Sequence, residues 1–209
     1  MWNRLRYSFW APWYDTLVGA AGFEEARRRS LDHLALASGA HVLIVGAGTG
    51  LDLEYLQRGV HVTAVDVTPA MLDRLRRRAQ SLNVRVDTHV MDARRLTFDT
   101  GTFDAVVLHL IVAVMPQPER GVAEAVRVVK PGGRIAIFDK FLGDDERPSV
   151  ARRVVNLIMK PMFSDMNRRL GPLLAGKGIE IERNEPGPFG GMYRIVTLRK
   201  PEEQRTEGI

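Results

Sequence analysis

Three glycines stand at 46, 48 and 50, in the run Gly46-Ala47-Gly48-Thr49-Gly50, just after the apolar stretch His41-Val42-Leu43-Ile44-Val45. Glycines in such a loop let the main chain approach a ligand closely and take positive φ. The spacing selects the ligand. A dinucleotide loop, G-x-G-x-x-G, needs its third glycine at position 51, and that position is Leu51. The third glycine stands at 50 instead, so the loop lacks the extra residue that cradles a pyrophosphate. Two carboxylates extend the pattern. Asp66, twenty positions beyond Gly46, ends the next apolar run and is placed to accept two hydrogen bonds from a ribose diol. The alternative is a helix-cap or turn aspartate, a role for which Thr68 competes. Asp92, in Met91-Asp92-Ala93, is placed to accept from an adenine amino group, with Ala93 leaving room for the ring. The alternative there is a turn aspartate.

The elements that must position these residues follow from the period of the apolar positions. Residues 41–45 form a short apolar run ending in glycines, which is a buried strand. Residues 51–57 are expected as a helix opening from the loop and closed by Gly59. A second strand covers 61–65. A helix over 69–82 follows, with Pro69 in its first turn and Met71, Leu72 and Leu75 on one face. Further strands are expected over 84–90, 103–110 and 134–138. A helix over 119–129 precedes the last of these and is closed by Pro131-Gly132-Gly133. Continuously apolar strands alternating with helices imply a parallel sheet covered on both faces. Residues 178–185 and 192–199 read as a final strand pair, a hairpin-like antiparallel edge. Residues 1–38 are expected as helices ahead of the first strand, and 141–175 as an insertion. Both are natural lids, and all 209 residues read as one domain.

Composition narrows the function classes. The 45% hydrophobic and 26% charged fractions are those of an ordinary globular chain. There is no cysteine, which removes disulfides, thiolate metal sites and cysteine nucleophiles together; no metal site is expected. The longest apolar run, residues 105–115, is interrupted by His109 and stopped by Pro116, too short for a membrane span. The N-terminus alternates arginine with aromatics and does not read as a signal peptide. A cytoplasmic location is expected. The formal net charge of +5 suits nucleic acid, anionic membrane or acidic substrates, or simply genome composition. No base-stacking module accompanies it, so nucleic acid is not expected.

From residue 41 to about 140 the chain resembles the class I S-adenosylmethionine-dependent methyltransferases. The motifs that carry the likeness are 42–50, 65–72, Phe103-Asp104-Ala105-Val106-Val107 and Arg127-Val128-Val129-Lys130-Pro131-Gly132-Gly133-Arg134. The resemblance implies a Rossmann-like, seven-stranded, mostly parallel α/β sheet with an antiparallel C-terminal strand and helices on both faces. It implies an S-adenosylmethionine site, with S-adenosylhomocysteine as product, on Gly46, Gly48, Gly50, Asp66 and Asp92. Val67, Met71 and Ala93 would pack near the adenosine. One departure stands out: the family carries Asp or Glu two residues before the first glycine, and this chain has Ile44. The contact toward the cofactor's amino-acid end then falls to Trp10, Tyr14 or the loop backbone. The departure also admits a second reading, a cofactor-binding relative without catalysis.

Methyl transfer from a sulfonium needs alignment and water exclusion more than it needs a base. A base matters only if the acceptor arrives protonated. His109, near the end of the fourth strand, is either that base or a buried structural histidine. Asp139 and Lys140, after the fifth strand, are weaker candidates. The tryptophans are Trp2, Trp10 and Trp13, with Tyr7, Phe9 and Tyr14 among them. Trp2, Leu5, Phe9 and Trp13 recur at near-helical spacing beside Arg4 and Arg6, which suits a lipid headgroup boundary. An ordinary helix packing on the core is the alternative, and Pro12 interrupts the stripe. Tyr7 and Tyr14 are placed to surround a cationic amine with their ring faces. Residues 7–15 resemble the N-terminal segment of soluble-type bacterial phosphatidylethanolamine N-methyltransferases and of quinone-biosynthesis methyltransferases. The likeness to the lipid enzymes extends loosely through residues 186–192. Arg152, Arg153, Lys160, Arg168 and Arg169, interleaved with Val154, Leu157, Ile158 and Met162, suit anionic lipid or a solvated helix face. The expected activity is methylation of a membrane lipid amine such as phosphatidylethanolamine and its methylated intermediates. A quinone precursor or a soluble small molecule is the alternative acceptor. A monomer or weak homo-oligomer in peripheral contact with the inner membrane face is expected.

Overall fold

The computed structural model describes residues 22–142 and 168–202. Its elements are α1 (Phe23–Asp32), β1 (His41–Val45), a 3₁₀ turn (Leu51–Glu54), β2 (His61–Asp66), α2 (Pro69–Ser81), β3 (Val86–Val90), β4 (Phe103–His109), α3 (Pro118–Val128), β5 (Val129–Lys140), α4 (Leu170–Leu174), β6 (Glu180–Pro186) and β7 (Tyr193–Arg199). The strands form one seven-stranded sheet in the order β3-β2-β1-β4-β5-β7-β6. β1 pairs in parallel with β2 through Val42↔Val62 and with β4 through Val42↔Ala105. β5 and β7 run antiparallel, with Ile137 opposite Val196.

Alternation along β1 shows how the sheet is covered. Leu43 and Val45 face a core shared with Val122 and Ala125 of α3 and Leu173 of α4. Val42 and Ile44 face the opposite core, against Leu72 and Leu75 of α2 and Leu31 and Leu34 at the end of α1. Both faces are apolar, as a parallel sheet between helices requires. Full burial of a side chain such as Leu75 contributes about 1.5–3 kcal/mol.

The strand order reverses at β1: β2 and β3 lie on one side, β4 and β5 on the other. In open α/β sheets that crevice, beyond the carboxyl ends of the strands, is where ligands bind. Its positions here are the loop after β1 and the residues after β2, β3 and β4.

Two expectations are corrected. The helix expected over 51–57 is a single 3₁₀ turn, Leu51–Glu54. Short helices are marginal without tertiary anchors, and the anchors here, buried Asp52 and Leu53, both lie in the first turn. The fifth strand starts at Val129, directly after α3, so Pro131-Gly132-Gly133 is an irregularity within the strand and not a break before it. A Cβ at Gly133 would lie 2.7 Å from the Asp104 carbonyl oxygen, which explains the residue type. The terminal pair is the expected antiparallel edge, with β7 inserted between β5 and β6. Ile195, Val196 and Leu198 of β7 are fully buried, whereas β6 is charged and exposed. Charged side chains suit an edge strand because they oppose further pairing. Of the two expected lids, α1 and α4 are described; residues 1–21 and 143–167 lie outside the described residues.

Candidate functional site

A cavity of about 680 Å³ opens at the strand-order reversal. Each glycine of the 46–50 loop has its own steric reason. A Cβ on Gly46 (φ 66°) would meet Ile111 Cγ1 at 2.6 Å. One on Gly50 (φ 82°) would meet Leu75 Cγ at 2.8 Å. Gly48 (φ 53°) has open space where its Cβ would be, and it lines the cavity. It is therefore the glycine whose missing side chain leaves room for a ligand. Gly50 does not line the cavity; it turns the chain beneath the loop.

Asp66 ends β2 and spans two neighbours. Its Oδ2 accepts from the Gly48 amide at 3.0 Å and its Oδ1 from the Thr68 amide at 2.8 Å. The Thr68 hydroxyl and the Val67 amide also bear on this carboxylate. Burial raises the carboxyl's pKa, and the amide bonds offset that in part. Thr68 takes the N-cap position of α2, without a side-chain cap bond. Val67 is 40% exposed, an unusual state for a valine, and lines the cavity together with Met71 and Ala93. Asp92, after β3, is gripped by Arg94, whose Nη2 donates to Oδ2 at 2.6 Å and whose amide donates to Oδ1 at 2.9 Å. Those bonds hold its pKa down.

The far end of the cavity carries a buried polar chain. His109, the last residue of β4, has both ring nitrogens engaged. Nδ1 lies 2.7 Å from Asp52 Oδ1 and Nε2 lies 3.0 Å from Ser30 Oγ. An ionised Asp52 only accepts, which places the proton on Nδ1 and leaves Nε2 to accept from the serine hydroxyl. Arg27 Nη1 donates to the same Asp52 oxygen at 2.6 Å. Burial pushes the Asp52 pKa up, but Arg27 and His109 outweigh it and hold the carboxyl well below the usual range. Leu110 follows at φ 57°, in the left-handed region, with its amide donating to the Phe138 carbonyl at 2.8 Å. A leucine there costs about 1–2 kcal/mol. The turn swings Leu110 and Ile111 into the cavity wall beside Val114 and Met115.

Every described residue that the sequence marks for the cofactor lines this cavity except Gly50, and His109 lines it too. Tyr7 and Tyr14 lie outside the described residues. Asp139 is buried at the end of β5 and accepts from the Ala113 amide at 2.9 Å and the Lys140 amide at 2.7 Å. Lys140 sits 5.4 Å over the Tyr193 ring. Burial raises the Asp139 carboxyl and lowers the Lys140 ammonium. Sequence reasoning missed Arg27, Ser30 and Asp52. A signal for the first two exists: Phe23, Arg27, Ser30, Leu31 and Leu34 share helical spacing, so Arg27 and Ser30 lie on the apolar stripe.

The site's geometry fits S-adenosylmethionine: an open cradle at Gly48, a diol-sized carboxylate at Asp66 and an apolar slot at Val67 and Met71. Comparison with known proteins agrees. Residues 43–137 match the family described as methyltransferase domain. The chain is 31% identical to a phosphatidylethanolamine N-methyltransferase of Cereibacter sphaeroides, over 93% of this chain and 95% of that one. It is 36% identical to a demethylmenaquinone methyltransferase of Clavibacter sepedonicus, over 60% of this chain and 51% of that one. Among solved structures, the [4+2]-cyclase SpnF superposes with a TM-score of 0.81 at 18% identity, covering 96% of each chain. Geranyl diphosphate C-methyltransferase from Streptomyces coelicolor, solved with S-adenosyl-L-homocysteine, superposes at 0.71 with 18% identity, covering 85% of this chain and 81% of that one. These two structures share the fold.

Proposed function

This chain belongs to the class I S-adenosylmethionine-dependent methyltransferases, and from that premise we propose that its acceptor is a membrane lipid amine, phosphatidylethanolamine and its partly methylated forms. The observation that carries this reading is the reach of the likeness to the phosphatidylethanolamine enzyme. It spans 93% of the chain, against 60% to 79% for demethylmenaquinone methyltransferases. The shared length thus includes residues ahead of β1 and after β5, the segments proposed to choose the acceptor. The apolar wall of Leu110, Ile111, Val114 and Met115 supports an acceptor with a lipid body. The aromatic-arginine segment over residues 2–14 supports peripheral contact with an anionic membrane surface. No helix among the described residues is long and apolar enough to cross a membrane.

The bound cofactor supplies an electrophilic methyl on a sulfonium. The chain's own part is binding and alignment. The backbone of residues 46–49 would bear on the amino-acid arm, Asp66 would accept from the ribose hydroxyls, and Val67, Met71 and Ala93 would flank the adenine. Asp92 would accept from the adenine amino group, sharing its oxygens with Arg94. Tyr7 and Tyr14 are proposed, from their residue type alone, to offer ring faces to the acceptor's cationic amine. A lipid ammonium must shed a proton before it attacks. His109 is the residue proposed to take it, on Nε2, with the Ser30 hydroxyl giving way; Asp52 fixes the tautomer that leaves this nitrogen basic.

A second acceptor class follows from the match to the demethylmenaquinone enzyme. The two readings separate in one assay. Transfer of labelled methyl to phosphatidylethanolamine vesicles is expected to place label in the mono- and dimethylated lipids. Label confined to a quinone precursor or to water-soluble amines would overturn the lipid reading and leave the family standing.

A further inference from the structure

Ile44 leaves a chemical question. It is 1% exposed and packed in the core that faces α1 and α2, so it can accept nothing from a ligand. The amino-acid arm of S-adenosylmethionine carries an ammonium and a carboxylate, and both leave water on binding. Buried charges need partners.

The same face of the sheet holds a substitute. Asp52 and Arg27 are each 5% exposed and both line the cavity next to the glycine loop. The bonds to Asp52 from Arg27 and His109 both fall on Oδ1; among the described residues Oδ2 takes none. Arg27 Nε is buried and donates no hydrogen bond among the described residues. An ion pair with unused capacity on both members is one the fold alone does not satisfy. Its charges complement those of the ligand arm, carboxylate for ammonium and guanidinium for carboxylate. His109, held by Ser30 on the other side, fixes the orientation of Asp52.

We propose that Asp52 and Arg27 are the receptor for the cofactor's amino-acid arm, with Asp52 taking the ammonium that Ile44 cannot. The acidic contact has moved from the end of β1 to the 3₁₀ turn after the loop. Because Arg27 belongs to α1, the arm also ties that helix to the occupied site. This assignment rests on the cofactor and is independent of the acceptor.

The test uses two ligands on the full chain: S-adenosylhomocysteine, which has the amino-acid arm, and 5′-methylthioadenosine, which lacks it. Dissociation constants are measured by calorimetry for the wild type and for R27Q/D52N, which removes both charges and keeps the pocket neutral. The double variant is expected to lose at least about tenfold in affinity for S-adenosylhomocysteine, the scale of lost charge-assisted bonds. Its affinity for methylthioadenosine stays within about twofold. Unchanged binding of S-adenosylhomocysteine would overturn the assignment. So would an equal loss for both ligands, which marks the pair as merely structural. If melting shows that R27Q/D52N does not fold, R27K, which keeps the charge and loses the forked geometry, is read the same way. A loss confined to S-adenosylhomocysteine supports the assignment, and an equal loss or none overturns it.

Discussion

At the scale of single residues, the site is read best where one side chain answers one chemical need. Asp66 is such a case. Its oxygens are oriented by the Gly48 and Thr68 amides and face the cavity. Asp66→Asn removes the charge and one acceptor. It is expected to weaken S-adenosylhomocysteine binding by about tenfold or more, since bonds to charged groups contribute about 1.5–3 kcal/mol each; unchanged calorimetric binding would contradict the ribose contact. Asp139 makes a prediction of opposite character. Its pKa is raised by burial, so the folded state holds its proton above the ordinary carboxylate range while the unfolded state releases it. Stability linked to this group therefore falls as pH rises from that range toward the folded-state pKa. Asp139→Asn should flatten that slope in melting temperature against pH, and an unchanged slope would refute it. Gly46, Asp66 and Asp92 were legible in the sequence because fixed spacing after apolar runs marks strand ends. Arg27 and Asp52 were not. Their pairing joins two segments 25 residues apart, and helical period alone does not say which charged residue on a stripe finds a partner.

At the scale of elements, apolar period located most of the helices and strands, and the misses have local causes. The 3₁₀ turn after the loop is short because Asp52 and Leu53 are its buried anchors. The interior position of β7 follows from its apolar faces, a contrast visible against the charged run of β6. The contact between loop and α2 is testable. Gly50→Ala would press a Cβ onto Leu75 and hold alanine at φ 82°. It should cost about 1–3 kcal/mol, combining backbone strain and overpacking. Leu75→Ala, which empties a fully buried position, should cost about 2–5 kcal/mol. The two share a contact, so the double variant should lose less than the sum in urea unfolding. Strict additivity would show that the clash is relieved elsewhere.

At the scale of the whole molecule, one sheet divides the labour. The strand-order reversal places the cavity beyond the ends of β1, β2 and β4. The lipid reading predicts that the chain floats with anionic vesicles and is released by high salt, because surface attraction decays within a Debye length. Failure to float at low salt would count against membrane contact without touching the cofactor site. The central claim is choice of acceptor, and a competition measures it most directly. Vesicles holding phosphatidylethanolamine and demethylmenaquinone together, supplied with S-adenosylmethionine, are followed by mass spectrometry of both products. The account predicts stepwise methyl gain on the phosphatidylethanolamine amine, with the quinone precursor left essentially unchanged. Methylation of the quinone precursor in preference to the lipid would contradict it.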